Sequence, residues 1–488
     1  MEIDWDVIVV GGGNAGFSAA HAAAERGRKV LLLEKGDRNT AGGNSYFTAG
    51  ATRVAHRGLE ELLEFIEPDE RHAVTEVPEY SVENYIADME KVTERRNDSE
   101  LTAVLAEESL PTLRWLNSLG LKYRLMYERQ AFATAEGGYL FWGGLHIGNV
   151  EGGVGLIRDH TATAARLGTT VRYGHTVVDL LFSDETVSGV EVRTGEGRNY
   201  QATAESVILA AGGFEANREM RRKYLGAGWE NAKVRGTPYN DGSLIGIALS
   251  KGAVPGGDWS TCHSVQWDAF CTQNESNREL TNRLTRGGYP LGVIVNRDGA
   301  RIVDEGSDFR NYTYAKYGRS ILEQPGSIAY QIFDSTQRKM LRTEEYDMPG
   351  VSVASGATIE ELAQSIDVDA AALKATIADF NASIATEMEF DPNIKDGRRA
   401  DVTPPKSNWA TALETGPFYA FGVTCGITFT FGGLRSDVHG RVLNADGEHI
   451  GGLYVCGEML GGLFSGNYPG GAGLAAGMVF GRRAGSLA

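Results

Sequence analysis

The sequence lacks three features that would each assign the protein to a broad class. No apolar run approaches the ~20 residues of a membrane-spanning helix, so no spanning segment is expected. The four cysteines (Cys262, Cys271, Cys425 and Cys456) show no CxxC spacing, which argues against a zinc knuckle or a disulfide framework. The net charge is −17, which argues against nucleic acid or an anionic membrane as the primary partner.

The sequence also lacks the basic start and small-residue cleavage site of a secretory signal. It passes from Met1 through acidic residues directly into an apolar strand. We therefore expect a cytoplasmic protein. At 488 residues the chain is too long for one ordinary core, so about two or three folding units are expected.

Glycine is abundant, and the first glycine-rich turn carries a recognisable pattern. Residues 5–10 form an apolar strand, Gly11, Gly13 and Gly16 follow, and an alanine-rich helix and a second strand ending at Glu34 come next. This is GxGxxG between a strand and a helix, with an acidic residue about 20 positions on, as in dinucleotide-binding folds. The glycines let the backbone approach a pyrophosphate at the helix N-terminus, and Glu34 would accept hydrogen bonds from the ribose.

Two later segments are buried strands that end in glycine, and a third is a glycine-rich stretch around a Tyr-Pro pair. Residues 206–214 read SVILAAGGF, residues 452–458 read GLYVCGE, and residues 466–473 read GNYPGGAG. Glycine costs backbone entropy and offers nothing to pack, so a surface tail explains these segments poorly. We expect the strand ends to converge on one ligand.

Together with VVGGGNAG, LLLEKG and GGNS, these segments resemble the FAD-containing superfamily of fumarate reductases, succinate dehydrogenases and ketosteroid dehydrogenases. The resemblance covers essentially the whole chain. It implies an α/β fold: a Rossmann-like FAD-binding domain, split in sequence, with an inserted α+β capping domain. The implied boundaries are 1–235 and 425–488 for the FAD-binding domain and 236–424 for the capping domain.

The resemblance also implies the cofactor, FAD in an extended form, with the isoalloxazine near residues 458–475. Some relatives attach FAD covalently through a histidine after the second strand; this chain has Asn44 and Ser45 there, so non-covalent FAD is expected. The predicted cofactor-binding residues are Gly11, Gly13, Asn14, Ala15, Gly16, Glu34, Lys35, Gly43, Asn44, Ser45, Val178, Ala211, Gly212, Gly213, Gly457, Glu458, Gly473 and Leu474.

Candidate catalytic residues follow from the same resemblance. After the segment VNRDGARIVDE, Arg310 lies nearest the position of the family's proton-relay arginine, and the alternative is a surface or ion-paired arginine. His263 is a plausible counterpart of a substrate-binding histidine. Arg301 is a secondary candidate, and the tyrosines Tyr312, Tyr314 and Tyr317 line either the cap or one face of a strand.

Two positions depart from the fumarate reductase pattern. Where that branch has HHTxGG and NRxGG, this chain has TFTFGG, with Thr428 and Thr430, and NYPGG, with Tyr468. A carboxylate-clamping histidine and arginine are thus replaced by hydroxyls and a phenol, which argues against simple fumarate or succinate specificity.

The segments ITFTFGGL and GNYPGGAG resemble the tricarballylate dehydrogenase branch most closely, and YPGG also resembles ketosteroid dehydrogenases. The implied reaction oxidises a CH–CH bond next to a carboxylate or carbonyl, or runs in reverse, with a proton lost and a hydride passed to flavin N5. Alternatives are a desaturase or ene-reductase for a cyclic ketone or secondary metabolite, and a non-catalytic flavin-binding redox subunit. The expected partners are a small-molecule substrate and an electron-transfer protein or quinone.

Overall fold

The computed structural model describes residues 4–134, 137–141, 143–273 and 275–488. Residues 1–3, from which the prediction of localisation partly started, lie outside this part of the chain. The chain forms two compact units. The first comprises Met1–Leu225, Gly236–Cys262 and Phe429–Ala488, and the second comprises Gly226–Arg235 and His263–Thr428.

The strands are numbered along the chain. They are β1 Trp5–Val10, β2 Val30–Glu34, β3 Ala51–Thr52, β4 Thr75–Glu76, β5 Tyr123–Leu125, β6 Phe132–Ala133, β7 Tyr139–Leu140, β8 Ile147–Asn149, β9 Thr170–Tyr173, β10 His175–Ser183, β11 Thr186–Thr194, β12 Asn199–Leu209, β13 Lys233–Val234, β14 Pro255–Gly256, β15 Cys262–Asp268, β16 Val293–Asn296, β17 Ala329–Phe333, β18 Ala354–Gly356, β19 Phe418–Thr430, β20 Gly433–Leu434, β21 Arg441–Leu443 and β22 His449–Val455.

The α-helices are numbered in the same way. They are α1 Asn14–Glu25, α2 Gly43–Tyr46, α3 Leu59–Leu63, α4 Val82–Thr93, α5 Ser99–Ser118, α6 Tyr127–Gln130, α7 Gly152–Arg166, α8 Arg218–Met220, α9 Ser243–Ser250, α10 Arg310–Thr313, α11 Tyr317–Leu322, α12 Ser335–Arg338, α13 Thr343–Tyr346, α14 Ile359–Ser365, α15 Ala370–Ala382 and α16 Ala472–Leu487. Short 3-10 turns lie at Glu70–Val74, Trp229–Asn231, Tyr289–Leu291, Pro325–Ser327 and Gly457–Met459, and a π turn lies at Arg221–Leu225.

The first unit is built on a sheet of strand order β10-β11-β22-β12-β1-β2-β9, with β21 added at β22. Its centre is parallel: β1 pairs with both β2 and β12, and β12 pairs with β22. These strands are continuous apolar runs because both faces of a parallel sheet are covered. Since parallel strands present their carboxyl ends at one edge, the glycine-rich turns after β1, β12 and β22 meet there, as the Rossmann-like prediction requires.

The second unit has its own sheet, of order β13-β19-β17-β16, with β15 and β18 also paired to β19. Helices α14 and α15 bury their apolar face against it: Leu362, Leu373 and Phe380 pack in one core cluster with Val293 and Ile332. The unit therefore has a mixed helix and sheet core.

The division between the units differs from the predicted boundaries at three segments. Residues 226–235 and 425–428, placed in the FAD-binding domain from the sequence, belong to the second unit. Residues 236–262, placed in the capping domain from the sequence, pack within the first unit, where α9 lies against β10 and β14 pairs with β20. The pairing of β14 with β20, a strand remote in sequence, holds residues 255–256 in the first unit.

Candidate active site

The turn after β1 has a backbone with no side chains in the way, so that other groups can approach it closely. Gly11 has φ of +110°, and a Cβ added at Gly16 would lie 1.9 Å from the Gly11 carbonyl oxygen. Gly13 is the N-cap of α1 and provides no side-chain hydrogen bond to the helix end. The Asn14 N–H donates to Ser45 Oγ, and Gly13 has no side chain to cap the N–H groups that follow it in α1, which fits the predicted pyrophosphate.

Glu34 lies at the end of β2 and holds this turn in place. Its buried carboxylate accepts hydrogen bonds from the backbone N–H groups of Gly12 and Gly36, both at 2.7 Å. Two backbone donors fix the orientation of the carboxylate beside the glycine turn. Its contact with a ribose stays a prediction.

Asn14 joins three of the predicted cofactor segments. Its backbone N–H donates to Ser45 Oγ at 3.0 Å, and its Nδ2 donates to the carbonyl of Leu474 at 2.9 Å. The predicted residues on the first turn, the loop after β2 and α16 therefore lie together.

Two histidines that stand in no sequence motif orient Asn14. His160 Nε2 lies 3.0 Å from Asn14 Oδ1, and His160 Nδ1 lies 3.1 Å from His21 Nε2. Burial, and then the charge of Arg166, lowers the pKa of His21 to about 3, and burial and His21 lower the pKa of His160 well below its ordinary value. Both rings are therefore neutral and link α1 to α7.

Two other predicted residues are held by partners in the same unit. Asn44 Nδ2 donates to Glu215 Oε1 at 2.6 Å, and Asn44 Oδ1 accepts from the backbone N–H of Thr237 at 2.8 Å. Lys35 forms an ion pair with Asp241 at 2.6 Å. Neither Glu215 nor Asp241 carries a local sequence signal that would have identified it.

Val178 and Gly43 occupy the flanks of this region. Val178 lies at an irregularity in the pairing of β10 with β11, and β10 lies beside β2. Gly43 begins α2 with φ of +53°, and a Cβ there would lie 3.9 Å from the Gly13 Cα.

The turns after β12 and β22 meet at Glu458. Glu458 Oε1 accepts from the backbone N–H of Thr430 at 2.8 Å and from its hydroxyl at 3.2 Å. A Cβ on Gly213 would lie 2.1 Å from the same oxygen, so any larger residue there would have to displace the Glu458 carboxylate. Burial raises the pKa of Glu458 well above its ordinary value, and the neighbouring Glu215 adds to the increase.

Ala211, Gly212 and Gly457 complete this edge. The backbone N–H of Ala211 lies 3.1 Å from Met459 Sδ. Gly212 and Gly457 both have positive φ, and a Cβ on Gly457 would lie 2.7 Å from the Ala15 Cβ. The predicted residues around strands β1, β12 and β22 are thus adjacent.

Aromatic rings surround the start of α16. The ring of Tyr468 packs edge-on against Phe429 at 5.1 Å and Phe464 at 5.5 Å between centroids. A Cβ on Gly473 would lie 3.6 Å from Phe429 and 3.8 Å from Tyr468. The phenol ring is 7% exposed and held by apolar neighbours.

In the second unit, Arg310 begins α10 beside a buried carboxylate. A Cβ on Gly287 would lie 3.1 Å from Arg310 Nη1 and 3.0 Å from Glu345 Oε2. Glu345 also accepts from the backbone N–H of Gly287 at 3.1 Å. Glu345, which the sequence analysis did not identify, places a charge-complementary group near Arg310.

His263 and Thr428 lie near a second arginine that sequence reasoning missed. Arg235 Nη1 donates to Thr428 Oγ1 at 2.8 Å. His263 is buried, and its pKa is lowered well below the ordinary value by burial and then by the charge of Arg235. The structure thus brings Thr428 and His263 together around Arg235.

The secondary candidates lie in the second unit, where Arg301 and Tyr317 are buried and Tyr312 and Tyr314 are half-buried. Arg301 forms a buried ion pair with Glu305 and donates to the carbonyl of Pro404. Tyr314 packs edge-on against His263 at 5.1 Å, and Tyr317 bonds to Ser307. Tyr312 lies in α10. Arg301 and Tyr317 therefore have structural partners.

The described helices include none long and apolar enough to cross a bilayer. Among the described residues, no group of three or more His, Cys, Asp or Glu side chains could hold a metal ion.

Comparison with known proteins identifies the fold and family. Residues 6–474 match the family model described as FAD binding domain. The chain is 29% identical over 493 residues to the fumarate reductase (cytochrome) of Shewanella frigidimarina, covering 99% of this chain and 76% of that protein.

Two solved structures are similar over 99% of the chain. The open conformation of a flavocytochrome c3 fumarate reductase gives a TM-score of 0.74 at 28% identity, with 77% of that chain covered. The 3-ketosteroid delta1-dehydrogenase of Sterolibacterium denitrificans gives 0.75 at 21% identity, with 99% of that chain covered, and shows the fold alone.

Proposed function

The chain belongs to the FAD binding domain family, and from this premise we propose a substrate and a set of residue roles. The protein is an FAD-dependent oxidoreductase that acts on CH–CH or C=C bonds. The predicted superfamily, fold class and FAD are confirmed. The closeness to tricarballylate dehydrogenase, the cytoplasmic location and the non-covalent binding stay predictions. The proposed reaction is the dehydrogenation of a CH–CH bond next to a carboxylate or carbonyl, similar to the reaction of tricarballylate dehydrogenase.

The observation that carries the proposal is the meeting of the turns after β1, β12 and β22 with the start of α16. The start of α1 presents backbone donors for the pyrophosphate, and Glu34 is oriented beside them. Glu458 lies beside Gly213, where a side chain would not fit. FAD, when bound, supplies the two-electron acceptor or donor for the carbon–carbon bond.

We assign proton transfer to Arg310. An arginine side chain is ordinarily protonated, so it can relay a proton only if its charge is locally destabilised or a neighbouring group takes up the proton. Glu345 lies near it, next to Gly287, and is 1% exposed. A buried carboxylate beside the guanidinium is a suitable exchange partner, with Glu345 as a positioning residue.

We assign substrate anchoring to Tyr468, Thr428, Thr430 and His263. The backbone N–H and the hydroxyl of Thr430 both donate to Glu458, so its hydroxyl is directed at that carboxylate. Thr430 is therefore proposed to act through Glu458, while Thr428 and His263 bind substrate. The second unit is proposed to be the capping domain that carries the substrate chemistry.

A cyclic ketone or a ring-containing acid is the second candidate substrate. Tyr468 packs with Phe429 and Phe464, so the position of the carboxylate-clamping arginine in fumarate reductases is lined by aromatic rings here. Such a surface favours a ring or an extended apolar group over a small dicarboxylate. Electrons are proposed to pass to a partner protein or quinone. A non-catalytic redox subunit is the remaining alternative.

Single-turnover kinetics of Arg310→Lys and Arg310→Gln test the assignment. The holoenzyme is mixed anaerobically with saturated acids and cyclic ketones, and loss of the flavin absorption is followed. We expect Arg310→Gln to slow reduction at least ~100-fold with unchanged FAD content, since positioned proton transfer contributes about 10²–10⁴-fold. Wild-type rates in both variants would contradict the assignment, and the absence of reduction by every substrate in the wild type would favour a redox subunit.

A further inference from the structure

Arg53 is a buried cation of the first unit that has no role in the assignments above. It directly follows β3, and its exposed fraction is 0%. Its backbone N–H donates to the carbonyl of Gly471 at 3.2 Å, and its Nε donates to the carbonyl of Gly470 at 2.9 Å. The backbone and the side chain of one arginine thus hold the two residues that directly precede α16.

Three further groups fix the orientation of the guanidinium. Its Nη1 donates to Asp88 Oδ2 and to the carbonyl of Gly143, both at 2.8 Å, and to the Tyr80 hydroxyl at 2.6 Å. The Tyr80 hydroxyl donates in turn to Asp88 Oδ2 at 2.7 Å. Asp88 lies on α4, and its side chain is 17% exposed. The buried cation is therefore paired with one carboxylate beside the start of α16.

The segment that Arg53 holds is the one predicted to lie along the flavin. The family resemblance places the isoalloxazine near residues 458–475, which include Tyr468 and Gly473. FAD that takes up two electrons and one proton gains a net negative charge, and nearby protein charges tune that reaction. Charges fixed in a buried site interact more strongly than charges in water. The Arg53 charge therefore favours the reduced form, and the Asp88 charge opposes that effect.

We propose that Arg53 is a positioning residue that holds the start of α16 and, together with Asp88, sets the reduction potential of the bound FAD. This inference rests on the proposed function, in which the flavin lies at this end of the helix. Neither residue stands in a glycine-rich segment. Both act through charge and through the loop before α16, without contact to the substrate.

The competing explanation is that Arg53 only joins β3 to α4 and α16. A purely structural ion pair would change the flavin in the same direction whichever partner is removed, because either loss breaks the same contact. Charges predict opposite directions. Loss of the Arg53 cation disfavours reduction, whereas loss of the Asp88 carboxylate leaves the cation uncompensated and favours reduction. The sign of the shift separates the two explanations.

Anaerobic titration of the holoenzyme with dithionite beside a reference dye measures the midpoint potential. We expect Arg53→Met to lower the equilibrium constant of two-electron reduction at least ~10-fold, equivalent to about 30 mV. Asp88→Asn is expected to raise the same constant at least ~10-fold. Arg53→Lys keeps the charge, and Tyr80→Phe breaks hydrogen bonds without changing it, so both are expected within about 3-fold of the wild type.

Glu90→Gln is the matched control for Asp88→Asn. Glu90 lies on the same helix, its side chain is 40% exposed, and it pairs with the exposed Arg95 at 3.3 Å. Water and salt screen such a charge, so this substitution should leave the potential unchanged. Asp88→Asn also provides the test if Arg53→Met does not fold, and an unchanged or lowered potential in that variant would then refute the pairing.

The inference is overturned if Arg53→Met and Asp88→Asn shift the potential in the same direction, or if both keep the wild-type potential. Failure of the proposed function has a different signature, because the flavin would then react with no saturated or unsaturated compound, whatever its potential. An enzyme that turns over its substrate with a potential that ignores both charges would refute the role of Arg53 and Asp88 alone.

Discussion

Replacing Gly213 by alanine tests whether the edge of the sheet at β12 and β22 is the flavin cradle. The added methyl carbon would lie 2.1 Å from Glu458 Oε1 and 2.2 Å from Thr430 Oγ1, far inside van der Waals contact. Thr430 is 1% exposed, so it cannot swing into solvent. The hydrogen bond from the Thr430 N–H to Glu458, at 2.8 Å, must therefore be displaced.

The expected cost follows from two contributions. Overpacking of a buried site costs about 1–3 kcal/mol, and a lost hydrogen bond that leaves a buried group unsatisfied costs about 1–3 kcal/mol. Together they lower the free energy of unfolding by about 2–6 kcal/mol. Movement of Glu458 is also expected to raise the dissociation constant of FAD at least ~10-fold, equivalent to about 1.4 kcal/mol.

Chemical denaturation of the apoprotein and fluorescence titration with FAD measure the two effects. Gly246→Ala is the matched control. Gly246 lies inside α9, and among the described residues no atom outside the helix's own backbone lies within 4 Å of the added carbon, so alanine there should stabilise by up to about 1 kcal/mol. If Gly213→Ala unfolds at the wild-type denaturant concentration and binds FAD normally, the assignment of this edge is refuted.

Two further predictions concern the first glycine turn and a buried lysine. Gly16→Ala should abolish FAD binding, because the added carbon would lie 1.9 Å from a backbone oxygen that cannot move away; FAD retained after gel filtration would contradict this. Burial lowers the pKa of Lys406 from 10.5 to about 8. The unfolded chain holds that proton to higher pH, so the free energy of unfolding should rise between about pH 8 and 10.5, by about 3 kcal/mol relative to Lys406→Met. Denaturation curves at both pH values check it, and parallel pH profiles in the two proteins would contradict it.

Patterns that are local in sequence predicted the nucleotide fold. The apolar run before Gly11, the spacing to Gly16 and the acid at Glu34 all report on one strand–turn–helix–strand unit, so its geometry could be expected from the sequence. The same holds for SVILAAGGF and GLYVCGE, whose glycines mark strand ends at one edge of a parallel sheet.

Residues that act through distant contacts were not predicted. His160 reaches Asn14 across 146 positions, and Arg235 reaches Thr428 across 193. A single sequence carries no signal for such pairs, because neither residue stands in a motif of its own. The boundary at residue 236 was displaced for a similar reason, since the pairing of β14 with β20 joins segments remote in sequence.

Reoxidation of the reduced holoenzyme tests the central claim most directly. The bound FAD is reduced anaerobically with dithionite, freed of excess reductant and mixed with a panel of α,β-unsaturated acids and cyclic enones. The account predicts that the flavin absorption returns with at least one of them, with one equivalent of saturated product per FAD. A flavin that stays reduced with every compound, and that no saturated counterpart reduces in the oxidised enzyme, would contradict it.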